Sequence, residues 1–506
     1  MPVIKDDIFE ALNIGIEKES LRVLNKEISQ ISHNKELFGS ALTNQFITTD
    51  FSESQMEFVT PPLKTNSEAL NFLESIHSNV SKKIDEEILW PLSMPPYIDS
   101  DSQIPIAYYG ESEIALFKRA YRIGLSNRYG RQMQAISGIH YNFSIDKKIL
   151  KNLSSEERVF DRYERDRIYF SALRNISRFN WLLLYLFGAS PFVGKNILEK
   201  DEGNLERLDK NTFYLPYATS LRMSDIGYQN TKQEELKISL NSVNEYIHEL
   251  KTATDTTSNE FSKIEKNKGN NLSQLSPNIL QNEDEYYSCS RPKSSFNSND
   301  RMIKKLDEHG VDYIELRSID LNPFEPCGIG SKSLIFLELF LIYCLQKDSQ
   351  ELDDHSIEEI RRNDLLTSKK GRKPGQMITK DKNQITIKSW GLQILDEMES
   401  LISESNIRKK LFFESLSESR DMLKDPNLTP SARVLNEVID NNISYEEFGN
   451  YLGESHKKKY SELYGKQSHH ERIIENEIER SKKESDKMKN ASEVSFKEHL
   501  KNYFKD

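Results

Sequence analysis

Apolar and polar residues alternate along much of the N-terminal part of the chain, and this period-two pattern predicts β-strands. The dipeptide Pro61-Pro62 closes the third of the predicted strands. The strands are predicted at residues 11–23 (ALNIGIEKESLRV), 46–50 (FITTD), 54–60 (SQMEFVT), 138–145 (GIHYNFSI) and 312–320 (DYIELRSID).

Other segments carry apolar residues at helical spacing. Helices are predicted at residues 64–90, 113–131, 155–187 and around 333–346. The apolar run from Trp181 to Val193 is shorter than the roughly 20 residues that a membrane span needs. We therefore interpret it as a buried helix. Residues 251–285 are rich in Ser, Asn, Lys and Glu and are interpreted as a polar connecting excursion.

The character of the chain changes after Gln346. Residues 347–380 are strongly charged, and residues 391–506 have a helical pattern with few apolar anchors. The final stretch, from Ser455, is a run of Lys and Glu with sparse hydrophobic residues, and we expect it to be a solvated helical appendage more than a binding device. The predicted organisation is an α+β protein, with a catalytic antiparallel-sheet domain at 1–346 and a charged, mostly helical region at 347–506.

Composition and charge narrow the class of protein. The 506 residues carry a net charge of −11 without a long basic stripe, which makes nucleic acid an unexpected partner. The three cysteines, Cys289, Cys327 and Cys344, form no CxxC pair and indicate a reducing cytoplasm. The N-terminal residues have no basic and apolar signal-peptide pattern.

The predicted strands place acidic and basic side chains on shared faces, because side chains two positions apart project to the same side. Glutamate is disfavoured in strands, so these positions suggest a function. Converging carboxylates repel one another unless cations lie between them, and Mg²⁺ prefers oxygen ligands. The residues concerned are Glu17 with Glu19, His140 with Asn142 and Ser144, Glu315 with Arg317, and also Asp50 and Glu57.

The residues alone leave an alternative open, since an antiparallel sheet with one wet face carries such side chains without any site. Known nucleotide motifs do not decide the matter. GASPFVGKN at 188–196 fails the phosphate-loop spacing, and GIGSKS at 328–333 lacks the last glycine of a dinucleotide fingerprint. If ATP binds, metal ions and basic residues must hold its phosphates.

Longer blocks carry a resemblance to the glutamate–cysteine ligase family of the proteobacterial type. The strong match covers most of residues 14–326, with weaker similarity at GRKPG (371–375) and DPNLTPSARVL (425–435). The blocks are GIEKESLRV (15–23), ALTNQFITTDFSESQMEFVTPP (41–62), LWPLSMPP (89–96), NRYGRQMQAISGIHYNFS (127–144), LFGASP (186–191), YATSLRMSDIGYQN (217–230) and YIELRSIDLNPFEP (313–326).

The resemblance implies a curved antiparallel sheet that forms an acidic funnel, similar to glutamine synthetase and surrounded by helices. It implies two or three Mg²⁺ ions, with Mn²⁺ as an acceptable substitute. The metal ligands that it implies are Glu17, Glu19, Asp50, Glu57, His140 and Glu315.

The implied reaction uses ATP to convert the side-chain carboxylate of glutamate into an acyl phosphate, which the amine of cysteine then attacks. Catalytic roles fall to Arg317 and His140, and ATP contacts to Arg291 and Lys293. The substrate-binding residues implied are Tyr121, Arg122, Leu125, Ile136, Arg222, Tyr228 and Tyr287. A monomer, feedback inhibition by glutathione and no membrane partner are further expectations.

Some positions depart from the family pattern. Lys18 and Ser20 stand where Arg and Thr are expected, Pro96 stands where Cys is frequent, and residues 288–290 do not match the expected flank of Tyr287. Three other functions remain open at this point: a carboxylate–amine ligase with a different amine, a catalytically silent relative, and a metal-dependent phosphohydrolase. The intact acidic set argues against the silent relative.

Overall fold

The structure is a computed structural model. It describes residues 7–154, 158–198, 205–227, 233, 236–264, 272–296, 300–403, 408–462, 469–490 and 495–504.

Strands and helices alternate through the first two thirds of the described chain, and helices dominate the rest. The strands are β1 Leu12–Leu24, β2 Glu27–Ile28, β3 Ile47–Thr49, β4 Gln55–Val59, β5 Ile88–Leu89, β6 Ile139–Ile145, β7 Phe192–Gly194, β8 Glu206–Arg207, β9 Thr212–Tyr214, β10 Ser290–Lys293, β11 Tyr313–Ile319, β12 Met377–Lys380 and β13 Asn383–Thr386. The helices are α1 Asp7–Glu10, α2 Lys35–Phe38, α3 Asn66–Ser81, α4 Glu113–Tyr129, α5 Lys147–Lys151, α6 Arg162–Phe187, α7 Val243–Asp255, α8 Met302–His309, α9 Ser331–Gln346, α10 Asp354–Lys370, α11 Ile387–Leu401, α12 Lys409–Lys424, α13 Pro430–Asp440, α14 Tyr445–Glu462, α15 His469–Asn490 and α16 Phe496–Tyr503.

The central sheet has the strand order β10-β11-β6-β1-β4-β3, and its pairs are antiparallel. The long strand β1 lies in the middle and pairs with β6 on one side and β4 on the other. This arrangement confirms the mixed α and β composition and the antiparallel sheet expected from the alternating pattern.

The two faces of the sheet follow the alternation in the sequence. Ile16, Tyr141 and Leu316 project to the back, are buried, and belong to one large hydrophobic cluster. Helices α3 and α6 contact the sheet, and α9 packs against both helices. The front face therefore keeps the polar residues of the same strands.

The C-terminal helices belong to this hydrophobic core. Trp390, Ile394, Phe412, Leu416 and Ile478 are buried in the same cluster as the back of the sheet. A fully buried side chain of this size contributes about 1.5–3 kcal/mol. The expectation of a solvated appendage from Ser455 is wrong, because Tyr460, Ile474 and Ile478 of that stretch are buried in this cluster. A few apolar residues at helical spacing suffice to dock long charged helices. The division of the chain at residue 346 stays a prediction.

Several element boundaries differ from the sequence prediction. Helix α3 begins at a capping box of Thr65 and Glu68 and ends at Ser81, before the short strand β5. Helix α7 begins at Val243 and occupies the start of the predicted polar excursion. The charged segment 347–380 contains α10 and part of the β12–β13 hairpin. Among the described residues, the structure contains no helix long and apolar enough to span a membrane.

Candidate active site

The polar front of the sheet borders a cavity of about 600 Å³. Strands β1, β4, β6, β10 and β11 form its floor, while α4, α8 and α16 contribute to its walls. The predicted site residues among its lining are Glu17, Glu19, Asp50, Glu57, Tyr121, Arg122, Leu125, His140, Tyr287, Arg291, Lys293, Glu315 and Arg317.

Strand register explains why the acidic residues meet. Glu17 is opposite His140, and Glu19 is opposite Glu57, in the ladders on either side of β1. Glu315 lies one strand further out, beyond β6. Asp50 follows the end of β3 and completes the acidic group at the other edge. The predicted clustering of these carboxylates on one sheet face is therefore present in the fold.

His140 lies at the centre of this group. Its Nδ1 is 3.1 Å from Glu17 Oε2 and 3.5 Å from Glu315 Oε1, and its Nε2 is 3.7 Å from Glu19 Oε1. The imidazole thus bridges carboxylates from two strands, β1 and β11, and brings oxygens of Glu17 and Glu315 within reach of a shared cation.

Two groups that the sequence prediction did not assign hold the carboxylates in place. Asn142 Nδ2 donates to Glu17 Oε1 at 2.7 Å, and the Gly138 backbone N–H donates to Glu19 Oε2 at 3.0 Å. Position 138 also requires glycine, because an added Cβ would lie 2.1 Å from Arg222 Nη2. Asn142 was visible as a member of the polar strand face, whereas the Gly138 contact depends on tertiary packing.

Burial and like charge raise the pKa of two carboxyl groups. Burial, followed by the charge of Asp50, raises the pKa of Glu19 to about 7. Burial and then the charges of Asp50, Glu17 and Glu19 hold the pKa of Glu57 well above its ordinary value. These groups would ionise more readily if a cation lay between them.

The other side of the site has compensating positive charge. Burial opposes ionisation of Glu315, but Lys293, Arg317 and His140 together hold its pKa well below the ordinary value. Lys293 Nζ is 3.1 Å from Glu315 Oε2, and Arg317 Nη1 is 3.3 Å from Glu315 Oε1. Burial of Glu17 likewise opposes ionisation, but its hydrogen bond with His140 and the charges of His140 and Lys293 together lower its pKa.

The donor set fits a hard divalent cation. Ligand atoms of Glu17, His140 and Glu315 lie within 4.8 Å of one another. Carboxylate oxygens are the ligands that Mg²⁺ prefers, and repulsion among Glu19, Asp50 and Glu57 gives a second reason for cations at this position.

Helix α4 positions the predicted substrate-binding residues on one wall. Ser112 caps the N-terminus of the helix, where its side chain accepts from the Ala115 N–H, and Gly130 caps the C-terminus with φ 77°. Tyr121, Arg122 and Leu125 all line the cavity. Arg122 stacks on the Tyr109 ring at 4.8 Å and donates to the backbone carbonyl of Asp50.

Not every predicted residue lines the cavity. Ile136 is fully buried in a separate hydrophobic cluster, and Tyr228 falls outside the described residues. Arg222 is 1% exposed. Its Nη1 lies 3.5 Å from Asp320, and its Nη2 donates to the Arg317 carbonyl at 2.9 Å. Within the described residues, Arg222 therefore supports the strand end that carries Arg317.

The cavity also has lining residues that the sequence prediction missed. Lys118 lies one helical turn before Arg122, and burial, followed by Arg122, lowers its pKa to about 8. His499 and Tyr503 come from α16, and the Tyr503 ring packs 4.5 Å from that of Phe117. The four-residue spacing of Lys118 and Arg122 places both on one face of a helix, so the sequence could have identified Lys118. Helix α16, in contrast, lies far along the chain from the blocks that carry the resemblance.

Comparison with known proteins adds an independent result. The family model described as glutamate-cysteine ligase matches residues 4–366. A glutamate–cysteine ligase of Janthinobacterium sp. (strain Marseille) is 39% identical over 86% of this chain and 83% of the relative. That of Alcanivorax borkumensis is 38% identical over 97% of this chain and 95% of the relative.

Solved structures agree. The crystal structure of glutamate–cysteine ligase from Francisella tularensis in complex with AMP has a TM-score of 0.92 and 32% identity, covering 100% of this chain and 99% of that one. A bifunctional glutathione synthetase from Pasteurella multocida has a TM-score of 0.72 and 26% identity over 90% of this chain and 53% of that one. Sequence match, full-length relatives and fold together establish that the chain belongs to the glutamate–cysteine ligase family.

Proposed function

We propose that the protein joins the side-chain carboxylate of L-glutamate to the amine of L-cysteine at the expense of ATP. The products are γ-glutamylcysteine, ADP and phosphate, and the intermediate is γ-glutamyl phosphate. The observation that carries this proposal is the convergence of acidic residues on the front of the sheet, next to Arg317 and Lys293. An anionic phosphoryl donor and an anionic acceptor need such dense compensating charge.

The acidic residues would hold two or three Mg²⁺ ions, with Mn²⁺ as a substitute. The ligands in this proposal are Glu17, Glu19, Asp50, Glu57, His140 and Glu315. Bound Mg²⁺ supplies charge neutralisation for the phosphate oxygens and a template for their orientation. The curved funnel implied by the resemblance is part of the same proposal, with the carboxylates around its inner surface.

The basic residues of β10 and β11 have the phosphate-binding role. Arg317 and Lys293 both contact Glu315, so they are held at the cavity floor before substrate binds. A guanidinium can contact two oxygens of the transferring phosphoryl group at once, which suits Arg317 to stabilise its charge. Arg291 lines the same cavity and extends the positive surface.

The walls supply the two amino-acid sites. Arg122 is oriented by its stack on Tyr109 and can bind the glutamate α-carboxylate through paired hydrogen bonds. Tyr121, Leu125 and Tyr287 provide an apolar-aromatic pocket for the small thiol side chain of cysteine, with Tyr228 as a further predicted member. Arg222 contributes by supporting Arg317 through the Arg317 backbone carbonyl.

Transfer of ¹⁸O tests the acyl-phosphate route. Glutamate labelled with ¹⁸O in its side-chain carboxylate is incubated with the protein, Mg²⁺, ATP and cysteine, and the released phosphate is analysed by mass spectrometry. One labelled oxygen should appear in phosphate for each γ-glutamylcysteine formed, because the carboxylate oxygen leaves with the phosphoryl group. Unlabelled phosphate accompanied by product would contradict the intermediate.

The pathway, the oligomeric state, the cellular location and the regulation are part of this proposal as well. The reaction would be the first step of glutathione biosynthesis, carried out by a monomer in the cytoplasm and inhibited by glutathione as end product. Free thiols are consistent with a reducing compartment: Cys289, Cys327 and Cys344 are all unpaired by disulfides.

A further inference from the structure

A second cavity of about 400 Å³ lies behind the candidate active site, between α6, α10 and the chain segment that leads into β10. Among the described residues, Tyr287 is the one predicted site residue that lines it. Apolar and aromatic side chains form much of its wall, among them Leu184, Tyr246, Tyr286, Leu352 and Ile360.

Two residues that line this cavity each have a hydrogen-bond acceptor without a partner in the part of the chain that the structure describes. Asn180 Nδ2 donates to Asp364 Oδ2 at 2.8 Å. The remaining oxygens, Asn180 Oδ1 and Asp364 Oδ1, have no hydrogen-bond partner among the residues that the structure describes. Asn180 is 1% exposed, so its carbonyl cannot rely on bulk water. Buried polar atoms without partners are uncommon and require an explanation.

The chemistry of this pair limits what can satisfy it. An ionised carboxylate only accepts hydrogen bonds, so Asn180 must direct its NH₂ group to Asp364 and leave its carbonyl oxygen for another donor. Burial raises the pKa of Asp364 to about 7, as for a carboxylate whose charge is poorly compensated. A ligand with several donors and a positive charge meets both needs, and a primary ammonium has this combination.

The rim differs from the interior. Lys237 and Asp354 form an ion pair of 2.8 Å, and their side chains are 59% and 80% exposed. This pair lies at the mouth of the cavity. Within the described residues, it makes no contact with the unpartnered oxygens of Asn180 and Asp364. The two unpartnered oxygens are thus buried, whereas the ion pair at the rim is exposed.

Tyr287 and Gln233 line both cavities and separate them. The Tyr287 N–H donates to Gln233 Oε1 at 3.0 Å, and Tyr287 Oη lies 3.0 Å from Met223 Sδ. A molecule in the second cavity would contact the back of the Tyr287 side chain. It would therefore act on the pocket that we propose for the amine substrate.

We propose that the second cavity binds a small molecule with a primary ammonium group and a short apolar body, anchored by Asp364 and Asn180. Occupancy changes the position of Tyr287 and so the KM for the amine substrate. Only this second, kinetic part rests on the proposed function. The binding of the ammonium compound does not depend on which reaction the protein catalyses.

Methyl NMR of the full-length protein with n-butylammonium tests the binding. Excess Mg²⁺ is present, because the acidic active-site cavity would otherwise attract the probe. The ¹³C-methyl signals of Ile357 and Ile360 report on the second cavity, and that of Ile114 reports on the active-site cavity. We expect saturable shifts at Ile357 and Ile360, none at Ile114, and none with butyrate in place of the amine.

Variants distinguish the interior anchor from general charge attraction. Asp364→Asn should raise the Kd at least about tenfold, since a hydrogen bond to a charged group is lost. Asp354→Asn, which removes the same charge at the rim, should leave the Kd unchanged. Ile360→Trp should fill the cavity and abolish binding even if Asp364→Asn proves unstable.

Three results would each contradict the proposed binding site: no saturable shifts, shifts confined to Ile114, or equal affinity in Asp364→Asn. The kinetic part is measured separately as the KM for cysteine with and without n-butylammonium, at saturating glutamate and ATP. An unchanged KM, with binding still seen by NMR, would overturn the coupling through Tyr287 while leaving the site itself. A shift in KM that Asp364→Asn removes would support it.

Discussion

Glu19 on β1 and Glu57 on β4 are directly opposite each other in the antiparallel ladder, on the cavity face of the sheet. The charge of Glu19 contributes to the raised pKa of Glu57, and the charge of Asp50 raises the pKa of both groups. A fold gains nothing from holding repelling carboxylates together, which is why we assign them to cation binding.

Replacement of Glu57 by glutamine should abolish ligase activity and leave the fold intact. Loss of a metal ligand should cost more than the 10–100-fold that outer-shell changes typically cost, so a decrease beyond about 100-fold is expected. Relief of repulsion should keep the melting temperature in EDTA equal to or above that of wild type. ADP release measured over a Mg²⁺ titration checks the first point and calorimetry the second. Glu10→Gln, which changes an exposed carboxylate, is the control. Near-normal turnover in Glu57→Gln at moderate Mg²⁺ would contradict the assignment of Glu57 as a metal ligand.

The Glu19 carboxyl group should lower the stability of the metal-free protein as pH rises from about 5 to 7. Glu19 has a folded pKa of about 7 against an ordinary value of 4.5, so the folded state holds a proton that the unfolded state releases in this range. At 1.36 kcal/mol per pKa unit the loss is about 3 kcal/mol. Glu17 and Glu315 have lowered pKa values and are ionised in both states throughout this window, so they add no slope.

Thermal unfolding at pH 5 and pH 8, in EDTA and in excess Mg²⁺, measures this effect. Mg²⁺ should raise the melting temperature more at pH 8 than at pH 5, because metal binding replaces the proton on Glu19. Equal stabilisation by Mg²⁺ at both pH values would contradict the assigned direction of the Glu19 pKa.

Arg317→Lys should lower kcat far more than it raises the KM for any substrate. Lysine keeps the positive charge but lacks the paired donors that can contact two phosphoryl oxygens. Loss of one preorganised donor typically costs 10²–10³-fold in kcat, and we expect a decrease of roughly that size. Steady-state ADP release, with Arg207→Lys on the exposed strand β8 as control, gives the comparison. A change confined to KM would instead make Arg317 a binding residue.

Tyr121→Ala should raise the KM for cysteine at least about tenfold and leave that for glutamate near the wild-type value. Removal of apolar contact in a small pocket is worth about 1–3 kcal/mol per methylene-sized group, and an aromatic ring exceeds that size. Each KM is measured with the other substrates saturating. If the KM for glutamate changes and that for cysteine does not, the two amino-acid sites must be exchanged.

The sheet was largely predictable from the sequence because its information is local. Alternation within residues 11–23 decides which side of β1 Glu17 and Glu19 occupy, and the same holds for His140 on β6. Helix α4 followed from ordinary periodicity and ends within two residues of the prediction. These elements carry most of the candidate site.

Other features depend on contacts that no local pattern encodes. Arg222 looks like a free substrate-binding residue in its motif, but Asp320, almost a hundred positions later, pairs with it in the core. Helix α16 reaches the active-site cavity through Phe117 and Arg301, from a region with sparse apolar residues. The second cavity likewise forms only where α6, α10 and the start of β10 meet.

The central claim is that the acidic cavity couples ATP cleavage to joining glutamate and cysteine. We would measure ADP release by the purified protein with Mg²⁺ and ATP, adding glutamate and cysteine separately and then together, with product masses recorded. The account predicts sustained ADP release only with both amino acids, in equal amount to γ-glutamylcysteine. ADP release without an amine, with a different amine but not cysteine, or under no condition in a folded, Mg²⁺-binding protein would contradict it.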